Sequence, residues 1–231
     1  MRAVARSETG RVRASNQDRY LLAPDRRLFV VCDGMGGHRC GDVAASLAVE
    51  AIDAAYVQGS EPVRGLKQAI ETANREVYAR GSNDPPGLRM GTTLAAAVVE
   101  DHQLYAANVG DSRIYLVRGD SIKQVSRDHT LVQRLAEAGT VTRDEARRHP
   151  YRHVLTRALG MEPQVEIDFF TEPIATGSYV LLATDGLTDL VADEEIQHAV
   201  ARWGLKALDP LVAMALDRGG HDNITAVLIQ V

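Results

Sequence analysis

Two rhythms alternate along the chain. Runs at 27–33 (RLFVVCD), 93–99 (TLAAAVV), 103–109 (QLYAANV), 113–117 (RIYLV), 165–170 (VEIDFF), 179–185 (YVLLATD) and 224–231 (ITAVLIQV) have the length and composition of strands. Turn-like pieces join several of them, EDH at 100–102 and RGDS at 118–121, which predicts hairpins and antiparallel sheets. Between the first run and the hairpins lie two stretches with helical spacing. Ala44, Leu47, Ala48, Ala51, Ile52 and Ala55 share one face, and Val63, Leu66, Ile70, Ala73 and Val77 share another. A third helix, near 193–203, places Ile196, Ala199, Val200 and Trp203 on one side, with Asp193 as its expected N-cap. Each helix has a single apolar stripe and so packs by one face. Hairpin-linked strands with helices outside them predict an α+β layered sandwich.

Residues 128–164 break both rhythms. They are rich in charge (RDEARRHPYRH), and a mobile, mostly helical insertion with few buried apolar contacts is expected there. No linker, repeat or low-complexity stretch interrupts the rest, so residues 1–231 are expected to form one domain.

Composition narrows the function classes. A net charge of −5 leaves no electrostatic footprint for nucleic acid or an anionic membrane. No apolar run reaches the roughly 18 residues of a membrane span, and the start, MRAVARSETGRVRASNQD, has no apolar signal core. Two cysteines, Cys32 and Cys40, are too few for a disulfide framework and read as reduced thiols, so the cytoplasm is the expected compartment.

The stretch LFVVCDGMGGHRCGDVAAS (28–46) looks like a phosphate-cradling turn, but its residues refuse that reading. A dinucleotide fingerprint would need glycine where Arg39 stands, and a P-loop would need Lys and Ser/Thr where Asp42 and Val43 stand. The D-x-D-x-D alternation of a calcium loop is missing after Asp33. The carboxylate itself is the feature, and it has company. Asp33, Asp111 and Asp185 close apolar runs, Asp222 precedes one, and Asp18 precedes YLL. Singly, each is an ordinary turn or cap residue. Gathered at one sheet edge they would repel unless a cation joined them, and oxygen-only ligands select a hard ion such as Mg²⁺, Mn²⁺ or Ca²⁺. Glycine beside Asp33 would let a backbone carbonyl approach the same ion.

In this order the chain carries RASNQD (13–18), DGMGGH (33–38), AAS (44–46), GTT (91–93), NVGDSRIY (108–115), RDHT (127–130), RALG (157–160), ATDGL (183–187) and HDNIT (221–225). The series resembles bacterial members of the PPM family, the metal-dependent Ser/Thr protein phosphatases of the 2C type. The resemblance implies a four-layer α-β-β-α sandwich of two antiparallel sheets, with 128–164 as the family's variable flap. It implies two core ions, Mn²⁺ or Mg²⁺, with a possible third. Asp33 would bridge the core pair and Gly34 would lend its carbonyl. Asp185 and Asp222 would complete the first ion, Asp18 would hold the second, and Asp111 with Asp185 would hold the third. Arg13 would clamp the substrate phosphate, a task suited to a bidentate guanidinium. The nucleophile would be a metal-bridging hydroxide. Met35 stands where many eukaryotic members have a histidine acid; His38 reads as a loop residue, which leaves a metal-bound water as the expected proton donor. Asp42 replaces a frequent Glu.

The partners implied are phosphorylated proteins, including a Ser/Thr kinase whose action would be reversed, with no nucleic acid, no membrane and a monomeric chain. A catalytically inactive regulatory module would have lost metal aspartates, and none is lost. A stress-signalling phosphatase acting on anti-sigma antagonists would carry sensor or coiled regions, and the sequence has none. The flap would tune substrate choice through exposed residues such as Arg147, Arg148 and His153.

Overall fold

The computed structural model describes residues 1–36, 40–82 and 90–231. In chain order its strands are β1 (Arg2–Glu8), β2 (Asp18–Ala23), β3 (Leu28–Met35), β4 (Gly91–Thr92), β5 (Leu94–Glu100), β6 (Gln103–Val109), β7 (Arg113–Arg118), β8 (Ser121–Gln124), β9 (Asp168–Pro173), β10 (Tyr179–Ala183) and β11 (Ile224–Gln230). The helices are α1 (Cys40–Ala55), α2 (Pro62–Gly81), α3 (Leu131–Glu137), α4 (Arg143–Arg148), α5 (Asp185–Thr188), α6 (Asp193–Trp203) and α7 (Leu208–Asp217). One sheet runs β1-β11-β10-β7-β8 and the other β2-β3-β5-β6-β9, with β4 attached to β3. All their pairings are antiparallel. The hairpin expected at EDH forms with Asp101 and His102 both left-handed, which matches the twist of the flanking strands.

Side-chain alternation explains the layering. On β3, Leu28, Val30 and Cys32 face α1 and α2, where they join Ile52, Leu66 and Ile70. Phe29 and Val31 face the other way and meet Ile114, Val180, Leu182, Val227 and Ile229 between the sheets. A third apolar layer joins the outer face of the β1–β8 sheet to Ile196, Val200 and Leu211 of α6 and α7. The result is the four-layer α-β-β-α sandwich.

Several expectations move. The run at 165–170 becomes a strand only from Asp168. Asp193 is the first residue of α6 rather than its cap; Ala192 holds that place, and its N–H donates to Glu195 Oε2 at 3.0 Å. β1 and β8 carried no apolar rhythm and were missed. The flap is not mostly helical, since only α3 and α4 form and the remainder is irregular. Nor does it lack buried contacts. Leu159 is fully buried against the α1/α2 layer. Asn74 of α2 accepts from Gly160 N–H at 2.9 Å and donates to the carbonyls of Glu162 and Pro163. Short-range periodicity cannot register an anchor contributed by a distant helix.

Candidate active site

The apolar layer between the sheets ends in acid. After Phe29 and Val31, the next residue of β3 on that face is Asp33. Across the strand pair its Cα partner is Asp18, so two carboxylates sit opposite one another. Like charges in that register repel, and the surroundings hold them there. Asp33 N–H donates to Thr93 Oγ1 at 2.9 Å, and its carbonyl accepts from Thr93 N–H and Thr92 Oγ1, each at 2.9 Å. Asp18 is 2% exposed, and its Oδ2 accepts from Thr184 Oγ1 at 3.0 Å. Asp185 follows as the first residue of α5, so it opens a helical turn rather than ending a strand.

Asn223 ties the first motif to the last. Its Oδ1 accepts from Gln17 N–H at 2.8 Å, and its Nδ2 donates to the carbonyls of Thr9 and Ser15. Beside it, Asp222 Oδ2 accepts from Arg13 Nη2 at 2.6 Å. The glycines serve packing. A Cβ on Gly34 would lie 2.0 Å from the Gly41 carbonyl oxygen, and one on Gly41 would lie 2.5 Å from that of Gly34. The end of β3 and the start of α1 therefore touch backbone to backbone. Close contact, more than metal access, explains why both positions are bare.

These pieces enclose a cavity of about 700 Å³, lined by Arg13, Asp33, Gly34, Asp111, Asp185 and Asp222. Asp18 is buried beside it, across the strand pair from Asp33, so all seven residues expected from the sequence come together. Flap residues His153, Leu155 and Met161 form part of the wall.

The electrostatics are those of crowded, buried acids, with Arg13 paired to Asp222 alone among them. Burial, with neighbouring aspartates adding to it, pushes the Asp18 carboxyl up to about 7. Asp33 and Asp111 are also raised well above the ordinary range, first by burial and then by nearby carboxylates. Asp18 Oδ1 and Asp185 Oδ1 are buried with no hydrogen-bond partner. Such orphaned oxygens are costly unless something binds them, and oxygen donors of this kind fit a hard divalent cation. Asp18, Asp33, Asp111, Asp185 and Asp222 surround the space, yet no three of their carboxylates close within 4.8 Å of one another. Among the described residues, the one trio that does is His153, Asp185 and Asp189.

Supporting residues escaped the sequence reading. Thr92, Thr93, His129, Thr184 and Asn223 all stand in the quoted motifs, but no role was read for them there. His129 Nδ1 accepts from Gly110 N–H at 3.1 Å, beside Asp111, and its Nε2 faces Asp168 Oδ2 at 3.1 Å. Burial lowers its pKa, which suits the neutral ring that this pattern requires. Cys32 is a core residue facing α1, with its thiol raised by burial. The Asp42 carboxylate pairs with Arg19. His38 lies outside the described residues. Among those described, no helix is long and apolar enough to cross a membrane.

The protein phosphatase 2C family model matches residues 5–224. The chain belongs to the protein phosphatase 2C family. It is 37% identical to the serine/threonine phosphatase stp of Listeria innocua over 100% of this chain and 96% of that protein. The solved serine/threonine phosphatase PstP/Ppp of Mycobacterium tuberculosis superposes with a TM-score of 0.91 at 35% identity, covering 100% of this chain and 98% of that one. A PstP catalytic domain in complex with 2 manganese ions superposes with a TM-score of 0.88 at 35% identity, over 98% and 96%. Together with the two-sheet architecture, these likenesses place this 2C-family chain among serine/threonine phosphatases.

Proposed function

We propose that the chain hydrolyses phosphoserine and phosphothreonine in proteins with the help of divalent cations held by the inter-sheet carboxylates. Family membership makes it a serine/threonine phosphatase; the metal-dependent route is the finer reading. The observation that carries it is the set of buried acids, two with orphaned oxygens, opening into the same cavity as Arg13. Asp33, Asp185 and Asp222 would hold one ion, Asp18 and Asp33 a second, with the Gly34 carbonyl on one of these two, and Asp111 with Asp185 would hold a third. When bound, a close pair of Mn²⁺ or Mg²⁺ ions supplies an acidified water as nucleophile.

The chain's own residues do the rest. Thr93 and Thr92 fix the Asp33 backbone, and Thr184 orients Asp18. Arg13, half exposed and resting on Asp222, is placed to turn its fork to two phosphate oxygens. Met35 lines the cavity and has no proton to give. The manganese-bound PstP relative supports the choice of ion, and the match over 5–224 supports 1–231 acting as one catalytic domain. The substrates would be phosphoproteins, among them an opposing Ser/Thr kinase, met in the cytoplasm by a monomeric chain with no nucleic-acid or membrane partner. Hydrolysis of p-nitrophenyl phosphate and a phosphothreonine peptide, with and without added Mn²⁺, tests the reading; turnover that is indifferent to the ion would overturn it.

A further inference from the structure

A smaller cavity of about 290 Å³ adjoins the catalytic one, and Thr156, Arg157 and Glu166 line both. Its wall carries three arginines, Arg127, Arg134 and Arg157. Three acids line it too, but each already has a cation. Asp128 Oδ2 takes Nε and Nη2 of Arg113 at 2.9 and 2.7 Å, and Asp168 Oδ1 takes Arg157 Nη1 at 2.8 Å. Glu166 seats Oε2 on Arg157 Nη2 at 2.6 Å, with its side chain 73% exposed. Arg127 pairs with Glu137 and stays half exposed. Among the described residues, the exposed Arg134 guanidinium has no ion-pair partner. The unspent charge of this pocket is therefore positive. A second observation is independent of that balance. Glu166 comes from the irregular segment before β9, and its seat shows that an oxyanion fits Arg157 where the two cavities meet.

We propose that this pocket receives a second anionic side chain of the same peptide whose phosphoresidue enters the catalytic cavity. The inference rests on the phosphoprotein reading above and deepens it. The shared wall argues for one occupant. An extended peptide, advancing about 3.3 Å per residue, runs from the catalytic cavity past Thr156 and Arg157 into the smaller one. Its anion meets Arg134 and takes the place of Glu166 on Arg157. Phosphate and carboxylate both match the guanidinium fork, and the more highly charged phosphate binds it more strongly. A basic side chain gains nothing there, because the acids are spent on their own arginines. The competing arrangement is a fixed Glu166–Arg157 pair that only braces the segment before β9. In that case the pocket ignores the substrate.

The probes are synthetic phosphothreonine peptides that carry a non-hydrolysable phosphonate, a glutamate or a glutamine at successive spacings on either side. At one spacing the phosphonate should lower KM about tenfold against glutamine, with glutamate between them and kcat unchanged. Arg134→Ala should remove most of that gain, and Arg134→Glu should reverse it. Hydrolysis of p-nitrophenyl phosphate should stay at the wild-type rate in both. Arg134 is exposed on α3, so neither substitution disturbs the core. Glu166→Gln should enlarge the gain, because the internal competitor has lost its charge. High salt should shrink it. A KM indifferent to the anion at every spacing, or an equal gain in wild type and Arg134→Glu, overturns the inference. Turnover of the phosphothreonine peptides would then leave the phosphoprotein reading standing. A wild type that hydrolyses p-nitrophenyl phosphate but none of the peptides overturns both.

Discussion

Asp18 and Asp33 face each other across two strands, whereas Glu195 on α6 takes two guanidinium nitrogens of Arg218, each at 2.6 Å. The residue chemistry is the same and the environments are opposite. Burial and neighbouring carboxylates drive Asp18 and Asp33 up; Arg218 and the Ala192 N–H hold Glu195 down to about 2. The inter-sheet end is an unstable arrangement maintained by rigid neighbours, Thr93 and Thr184 among them. The α6 pair is a comfortable arrangement that contributes little, because exposed ion pairs are screened and cost side-chain entropy. A group that the fold leaves dissatisfied is the better mark of a ligand site.

Adding or withdrawing the divalent cation should produce the largest change. Excess EDTA should abolish hydrolysis of p-nitrophenyl phosphate, and full activity under those conditions would dispose of the metal mechanism. Mn²⁺ at a hundredfold excess over its Kd should stabilise the fold by about 2.7 kcal/mol for one site. For a chain of this size that raises Tm by roughly 5–10 °C; Glu195 should be indifferent to the ion. Next come Asp33→Ala and Asp185→Ala, each expected to nearly abolish turnover, because each carboxylate serves more than one proposed ion. Both should fold, and the metal-free Asp33→Ala protein should melt no lower than metal-free wild type, since a repelling charge has gone. Wild-type turnover at saturating Mn²⁺ in either variant would refute the assignment.

pH separates the two regions by sign. Asp18 has a folded-state pKa above its unfolded value, so without metal its contribution is intact below about 4 and is lost as pH rises toward about 7. Raised Asp33 and Asp111 act in the same sense. The metal-free protein should lose a few kcal/mol across that window, followed by urea unfolding at successive pH values. With Mn²⁺ the slope should reverse, because the ion binds the ionised acids. A flat metal-free profile would mean that the acids are not buried together. Arg13→Ala should act on catalysis: loss of a charged bidentate contact costs about 1.5–3 kcal/mol, tenfold to over a hundredfold in kcat/KM. An unchanged kcat/KM removes Arg13 from phosphate binding.

How far the sequence announced all this differs between the regions. The layering was legible because the strand runs are hairpin-linked and each helix has one apolar stripe, and the pleat of β3 carries Asp33 onto the face shared with Phe29 and Val31. The Asp18–Asp33 register was not legible, since it depends on how β2 pairs with β3 rather than on either segment alone. β1 escaped because RAVARSE, partly exposed along its length, reads as polar. The Gly34–Gly41 contact looked like a nucleotide turn or a metal doorway until the backbones were seen to touch. His153 read as an exposed flap residue because an irregular segment has no period, and only tertiary contact brings it to Asp185 and Asp189. Asp193 illustrates the reverse error, a good capping residue placed one position inside the helix.

The smallest effect should come from the comfortable acid. Glu195→Gln removes the charge facing Arg218 while keeping an oxygen to accept from Ala192 N–H, so the start of α6 retains its cap. The folded-state pKa of Glu195 lies below its unfolded value, so its contribution is present above about 4.5 and is lost as pH falls toward 2. That is the opposite sense to Asp18. Its side chain is about a third exposed, and solvent and salt screen most of the attraction. The urea midpoint of Glu195→Gln at neutral pH and low salt should sit barely below that of wild type, and the difference should vanish in high salt. Hydrolysis should be unchanged. A midpoint loss as large as the one the metal-free protein suffers between pH 4 and 7 would mean that paired surface acids hold this fold as strongly as buried acids strain it. The contrast between the two regions would then fail.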